Sequence, residues 1–170
     1  MKRLYFVRHG QSVLNAQRIL AGHIDTPLTE TGRGQAKLAG EGARGLAIDC
    51  IVSSPLIRAH ETARIVAGEI DLPIDKIELN HLVAERHYGE LQGEPWDGTT
   101  HIDDEPSVEP LSAVLERARQ TYAYVQTLPY DTVLIASHGT FGLALRAVIA
   151  DEQTFEDVDD LPNAQIIQFV

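Results

Sequence analysis

The sequence predicts an α/β fold, a three-layer sandwich in which helices flank a mostly parallel, mixed central sheet. Three observations predict it. Short apolar runs with strand character alternate with longer stretches of helical period. Their order reads β-α-β-α-(β)-loop-α-β-α-β, which suits a parallel sheet with crossover helices. The chain of 170 residues, 44% hydrophobic and 23% charged, is long enough to bury one sizeable core. One domain over residues 1–170 is therefore expected, with no internal repeat, low-complexity segment or linker.

The elements follow in order. Residues 3–8 read as the first strand, because Leu4, Tyr5, Phe6 and Val7 form an apolar run. That run ends abruptly in Arg8-His9-Gly10. Burying charge at a strand end is costly unless it is paired, so the strand is expected to aim a cation and an imidazole at an anion. Gly10 offers a tight exit with no Cβ. "LTETGRGQAKLAGEGARGL" reads as a helix with Thr29 as N-cap, weakened by its glycines. Residues 48–54 read as the second strand. A helix follows from "SPLIRA", with Ser54 as cap and Pro55 in the first turn. Residues 76–79 suit a short edge strand.

Residues 86–110 show no period and hold several Gly and Pro beside Asp103, Asp104 and Glu105. A stretch this long without regular structure reads as a functional lid, with Trp96 as a packing anchor. Leu111, Leu115, Ala118, Tyr122 and Val125 then step at helical spacing. "TVLIAS" is a buried strand, "TFGLALRAVIA" a helix and "AQIIQFV" a closing strand. The run "DEQTFEDVDD" reads as a solvated acidic loop, and His60, His81 and His101 as solvated side chains.

A net charge of -11 argues against a nucleic-acid partner, which calls for a basic face, and against an anionic membrane surface. A local Arg/His cluster can still dominate the field inside a cleft. Cys50 is the only cysteine and lies in an apolar run, so it reads as a buried, inert thiol. No signal peptide or spanning run is evident, and a cytoplasmic setting is expected.

In an open α/β sheet, ligands bind at the carboxyl ends of the strands. Here three such ends carry polar groups. The first delivers Arg8 and His9, the second leads to Arg58, and "TVLIAS" delivers His138 with Gly139 at a helix start. Arg presents forked donors that match phosphate oxygens, and a helix N-terminus adds free N–H groups. The constellation points to a polyanion site. No His-rich metal motif accompanies it, so no metal is expected.

The motifs go further. "RHG" with Ser12 and Asn15, "GHIDTPLTETGRGQA", "SSPLIRAHETA" (with Glu61 where Gln is usual), "ERHYGELQG" and "ASHGT" occur in family order over residues 4–140. Together they resemble the histidine phosphatase superfamily, also called the phosphoglycerate-mutase-like family. The resemblance implies phosphoryl transfer through a phosphohistidine. On matching positions, His9 would be the nucleophile, its other nitrogen held by a backbone carbonyl. Arg8, Arg58 and His138 would hold the equatorial phosphoryl oxygens. Glu85 would be general acid and then base. Ser12, Asn15, Gly22, His23 and Gly139 are expected at the phosphate or cleft rim, and Asn163 beneath the cleft.

The resemblance leaves three functions open. The first is a histidine acid-type phosphomonoesterase, needing no cofactor, acting on a small phosphorylated metabolite. The second is a mutase requiring 2,3-bisphosphoglycerate, which "ERHYGELQG" favours. Against it, residues 87–116 contain no Lys or Arg to grip a second anion. The third is a scaffold without catalysis, which the intact His9, Arg58, Glu85 and His138 disfavour. Both monomer and homodimer are compatible with the sequence.

Overall fold

The structure, a computed structural model, describes residues 2–96, 102–155 and 161–170. Its strands are β1 (Arg3–Arg8), β2 (Cys50–Ser53), β3 (Ile77–Leu79), β4 (Thr132–Ser137) and β5 (Ile166–Gln168). Its helices are α1 (Val13–Ala16), α2 (Glu30–Ala43), α3 (Ile57–Glu69), α4 (Leu111–Thr127) and α5 (Gly139–Ile149). The sheet order is β3-β2-β4-β1-β5. Only the β1–β5 pair is antiparallel, so the expected mostly parallel, mixed sheet is what forms.

The alternation of side chains along each strand builds the layers. Leu4 and Phe6 of β1, with Val133 and Ile135 of β4, join the core beneath α4 and α5. Tyr5, Val7, Leu134 and Ala136 point the other way, into a second core with Ala63 and Val66 of α3. Helices α2 and α3 pack together, as do α4 and α5. Both faces of β1 and β4 are thereby covered, which is why these two strands read as continuous apolar runs. Close approach depends on Gly142 of α5: a Cβ there would collide with Phe6 and Leu161. Cys50 is buried in the first core, and burial beside Glu78 and Asp49 pushes its thiol up to about 12.

Element boundaries differ locally from expectation. The second strand spans Cys50–Ser53, shorter than 48–54, although the flanking Asp49 and Ser54 N–H groups still donate to the Thr132 and Ala136 carbonyls, and the Asp49 carboxylate accepts from the N–H groups of Asp131 and Thr132. Helix α3 begins at Ile57 with Leu56 as N-cap, and the Ile57 N–H is accepted by the Asp25 carboxylate at 2.8 Å. The Ser54 hydroxyl accepts the Leu56 N–H at 3.2 Å, but Ser54 lies two residues before the N-cap position. The 86–110 segment contains two short 3₁₀ turns, Gly89–Leu91 and Ile102–Asp104. Arg86 ties it together, donating to the Glu109 carbonyl at 2.7 Å and to Asp103 at 2.6 Å. His101, part of that segment and the last five residues of "DEQTFEDVDD" lie outside the described residues.

Candidate active site

Strands β1 and β4 are parallel neighbours at the centre of the sheet, in register from Arg3–Thr132 to Arg8–Ser137. Their carboxyl ends therefore deliver His9 and His138 side by side. The two rings meet edge-on, with centroids 5.2 Å apart. Arg58 arrives from the first turn of α3 and is only 2% exposed. One hydroxyl links these pieces: Thr62 accepts the Gly10 N–H at 3.0 Å and donates to the Arg58 carbonyl at 2.8 Å. From below, Asn163 donates to the His9 carbonyl at 2.8 Å, and Arg8 reaches the Leu161 carbonyl at 2.7 Å.

The His9 ring is oriented at both nitrogens. Nδ1 lies 2.7 Å from the Gly10 carbonyl. A carbonyl can only accept, so Nδ1 carries the proton and Nε2 is left with its lone pair. That lone pair accepts from Arg58 Nε at 3.2 Å. Burial pushes the imidazole well below the usual 6.5, and Arg58 and Arg8 act in the same direction against the Gly10 carbonyl. The ring is thus held neutral with an exposed nucleophilic atom. The loop after β1 packs this closely on α2 because both contacts are glycines: a Cβ on Gly10 would strike the Gly32 carbonyl, and a Cβ on Gly32 the Gln11 backbone.

Arg58 spends three donors on fixed acceptors: His9, the Gly22 carbonyl at 2.6 Å and the Ile24 carbonyl at 3.1 Å. A guanidinium has five N–H groups, so donors remain for an anion. Glu85 sits opposite, on the turn after Val83, whose carbonyl accepts from Ser137 at 2.6 Å. The Glu85 carboxyl accepts from the N–H groups of Arg86 at 2.8 Å, Phe141 at 3.1 Å and Thr140 at 3.4 Å. It therefore covers the start of α5. Burial raises its pKa, while the Arg86 N–H, Arg58, the Phe141 N–H and Arg8 pull the other way.

These groups open into a cleft of about 570 Å³. Arg8, His9, Asn15, Gly22, Arg58, Glu85 and Gly139 all line it. His138, expected on the phosphoryl oxygens, is not on the cleft wall but fully buried beside the His9 ring. Two further expected contacts are corrected. The Ser12 hydroxyl is committed to a reciprocal cap with Asn15 at the start of α1, and Ser12 is not on the cleft wall. His23 turns away, 2.6 Å from the Glu85 carbonyl, and lines a separate cavity with His81, His87 and Glu109. Sequence reasoning did not single out Arg18, Ile19, Tyr88, Ile102 or Thr140, which also form the walls. Their signal was faint: Arg18, Ile19, Tyr88 and Ile102 reach the cleft from loops or short turns, and Thr140 from the first turn of α5.

Two neutral imidazoles at one site carry a stability consequence. The unfolded chain protonates its histidines below about pH 6.5. The folded chain resists, because burial pushes both His9 and His138 well down. The unfolded state therefore binds more protons there, and stability falls as pH drops through this window. Glu85 opposes the trend, since its raised folded pKa costs stability only as pH rises above about 4.5. The urea midpoint is expected to be lower near pH 5.5 than near pH 7. A His9→Gln/His138→Gln double variant should flatten the difference; an unchanged slope would assign it to other groups.

An open, mostly parallel sheet with an imidazole beside guanidinium groups at its carboxyl edge defines an α/β protein with a cationic pocket at the ends of its central strands. The comparisons make this specific. The model of the histidine phosphatase superfamily (branch 1) matches residues 4–169. The chain belongs to the histidine phosphatase superfamily. It is 35% identical over 155 residues to the uncharacterized phosphatase PhoE of Bacillus subtilis (strain 168), covering 89% of this chain and 77% of that relative. It is 36% identical over 184 aligned positions to the 2,3-bisphosphoglycerate-dependent phosphoglycerate mutase of Parvibaculum lavamentivorans, covering 96% and 83%. Three further matches to phosphoglycerate mutases span 38% to 44% of those relatives' length, and others span 70% to 78%. Among solved structures, a mycobacterial glucosyl-3-phosphoglycerate phosphatase in complex with VO3 superposes with a TM-score of 0.83 at 27% identity, covering 99% of this chain and 90% of that one. Among the described residues no helix is long and apolar enough to cross a membrane.

Proposed function

We propose that this chain is a phosphomonoesterase of the histidine acid type, acting on a small phosphorylated metabolite through a phosphohistidine on His9. The observation that carries the reading is the His9 ring itself. Its Nδ1–H is fixed on the Gly10 carbonyl and its Nε2 lone pair stands beside Arg58, at the floor of a cleft. Nε2 attacks phosphorus in line, and the P–O bond to the alcohol breaks. Arg8, Arg58 and His138 stabilise the charge on the equatorial oxygens. Glu85 gives its proton to the leaving alkoxide. A water, deprotonated by Glu85, then attacks the phosphohistidine and releases phosphate. This route uses no metal and no organic cofactor. A cytoplasmic setting is part of the same reading.

The mutase reading is favoured by the "ERHYGELQG" segment and by long matches to phosphoglycerate mutases. It would require 2,3-bisphosphoglycerate. Beyond Arg8 and Arg58, Arg18 is the one Lys or Arg among the described cleft residues, a thin provision for a second anionic group. The test is a paired assay. A chromogenic aryl phosphate is expected to release phosphate. With 3-phosphoglycerate and 2,3-bisphosphoglycerate, no cofactor-dependent 2-phosphoglycerate is expected. The opposite pair of results would make the chain a mutase.

A further inference from the structure

The donor role given to His138 raises a problem of tautomers. A phosphoryl oxygen needs an N–H, yet a neutral imidazole offers one N–H and one lone pair. Burial, Arg58, His9 and Arg8 all keep His138 from protonating, so an imidazolium does not solve it. Something must choose which nitrogen carries the proton.

Nε2 of His138 lies 2.8 Å from the Ser54 hydroxyl, and both residues are fully buried. Nδ1 is buried with no hydrogen-bond partner among the described residues, so it is the ring nitrogen left for a ligand. The Ser54 backbone is pinned to the same strand, its N–H donating to the Ala136 carbonyl at 3.0 Å. The position of the hydroxyl relative to His138 is thereby fixed. Ser54 Oγ already accepts the Leu56 N–H at 3.2 Å.

Two arrangements satisfy the Ser54–His138 contact. In one, His138 Nε2–H donates to Ser54. The Ser54 hydroxyl hydrogen is then buried with no acceptor, and Nδ1 presents a lone pair to an incoming dianion. In the other, Ser54 donates to Nε2. Its hydrogen is used, its oxygen still accepts from Leu56, and Nδ1 carries the proton. The second arrangement leaves fewer buried polar groups unmatched, and an unmatched buried group is expensive.

We infer that Ser54 is a positioning residue that fixes the tautomer of His138, so that the neutral ring presents Nδ1–H to the phosphoryl group. The two histidines then share a tautomer and have opposite roles. His9 uses its lone pair at Nε2, and His138 uses its N–H at Nδ1. The relay from Leu56 N–H through Ser54 to His138 also joins the start of α3, which carries Arg58, to the end of β4. This inference rests on the phosphatase reading, but its first test does not.

That test is the imidazole ¹⁵N spectrum of histidine-labelled protein, with His138 assigned by its loss in His138→Gln. The wild-type protein is expected to show the Nδ1–H tautomer, and Ser54→Ala to shift it to Nε2–H or a mixture. An Nε2–H wild-type ring, or a Ser54→Ala ring that keeps its tautomer, overturns the inference. On an aryl phosphate, Ser54→Ala should lower kcat about 30-fold, less than the largest losses of about 10³-fold from deleting a donor outright. KM should change little. Ser54→Thr should recover most of the loss. No recovery in Ser54→Thr, with the tautomer unchanged, would reduce Ser54 to a packing residue. A wild-type chain with the expected tautomer but no turnover would sink the phosphatase reading alone.

Discussion

Replacing His9 with Ala is expected to lower turnover of an aryl phosphate by a factor on the order of 10⁴ or more, the scale seen when a covalent nucleophile is removed. The fold should survive. His9 is anchored chiefly through its backbone, its N–H donating to the Ser137 carbonyl and its carbonyl accepting from Asn163. Both bonds persist with alanine. The side chain's partners also cope: Arg58 keeps the Gly22 and Ile24 carbonyls, and the Gly10 carbonyl faces the space the ring leaves. Loss of activity without loss of the urea transition is therefore the expected pair. Rapid quenching of the wild-type protein with labelled substrate should trap an acid-labile, base-stable phosphoprotein, which His9→Ala should not form. If the variant hydrolyses a good ester at the native rate, the phosphohistidine route is wrong, whatever the family.

The effect is concentrated in one side chain because of how the sheet is built, and much of that was legible in the chain. An apolar run that stops at Arg8-His9-Gly10 reads as a buried strand that ends in charge, and the other polar strand ends turned that into an expected anion site. The same logic marked Ser137-His138-Gly139. The register of β1 on β4 then places the two histidines together, and no further information is needed to pair them. Arg58 was legible from its local motif. Glu85 was legible from its motif too, although its covering of the start of α5 depends on the path of the chain between β3 and α4.

What the sequence hid has a common cause. Side chains such as Ser12, His23 and Ser54 are polar and local, so sequence alone suggests contact with a ligand or the capping of a helix. The Ser12 hydroxyl turns to Asn15, three residues on, while His23 and Ser54 find partners far along the chain. Ser54 was expected to cap α3, but its hydroxyl meets a histidine 84 residues away. His23 was expected at the rim, but it supports the Glu85 carbonyl. The cleft walls from Ile19, Tyr88 and Ile102 belong to irregular segments and short turns whose paths are set by hydrogen bonds such as Trp96 N–H to the Arg18 carbonyl at 2.7 Å. Periodicity carries no information about such bonds.

Glu85→Gln is expected to slow hydrolysis of alkyl phosphates by about 10²–10⁴-fold, the usual worth of general acid catalysis. The geometry sets two demands on this carboxyl that conflict until substrate arrives. As a cover for the start of α5 it accepts from Phe141, Thr140 and Arg86, and these bonds favour the carboxylate. As an acid it must hold a proton. Burial already raises its pKa, and a phosphate dianion entering beside Arg8 and Arg58 would offset their charge and raise it further. Substrate binding thus loads the proton that the leaving alkoxide needs. Gln keeps a carbonyl oxygen for Phe141 and Arg86, so the helix start should stay covered while proton transfer is lost. The deficit should therefore depend on the leaving group: large for alkyl esters, small for a nitrophenyl ester that departs without a proton. Comparing kcat across esters of graded leaving-group pKa measures this directly. A variant slowed equally on all of them would show that Glu85 acts by holding the start of α5 and not by proton transfer.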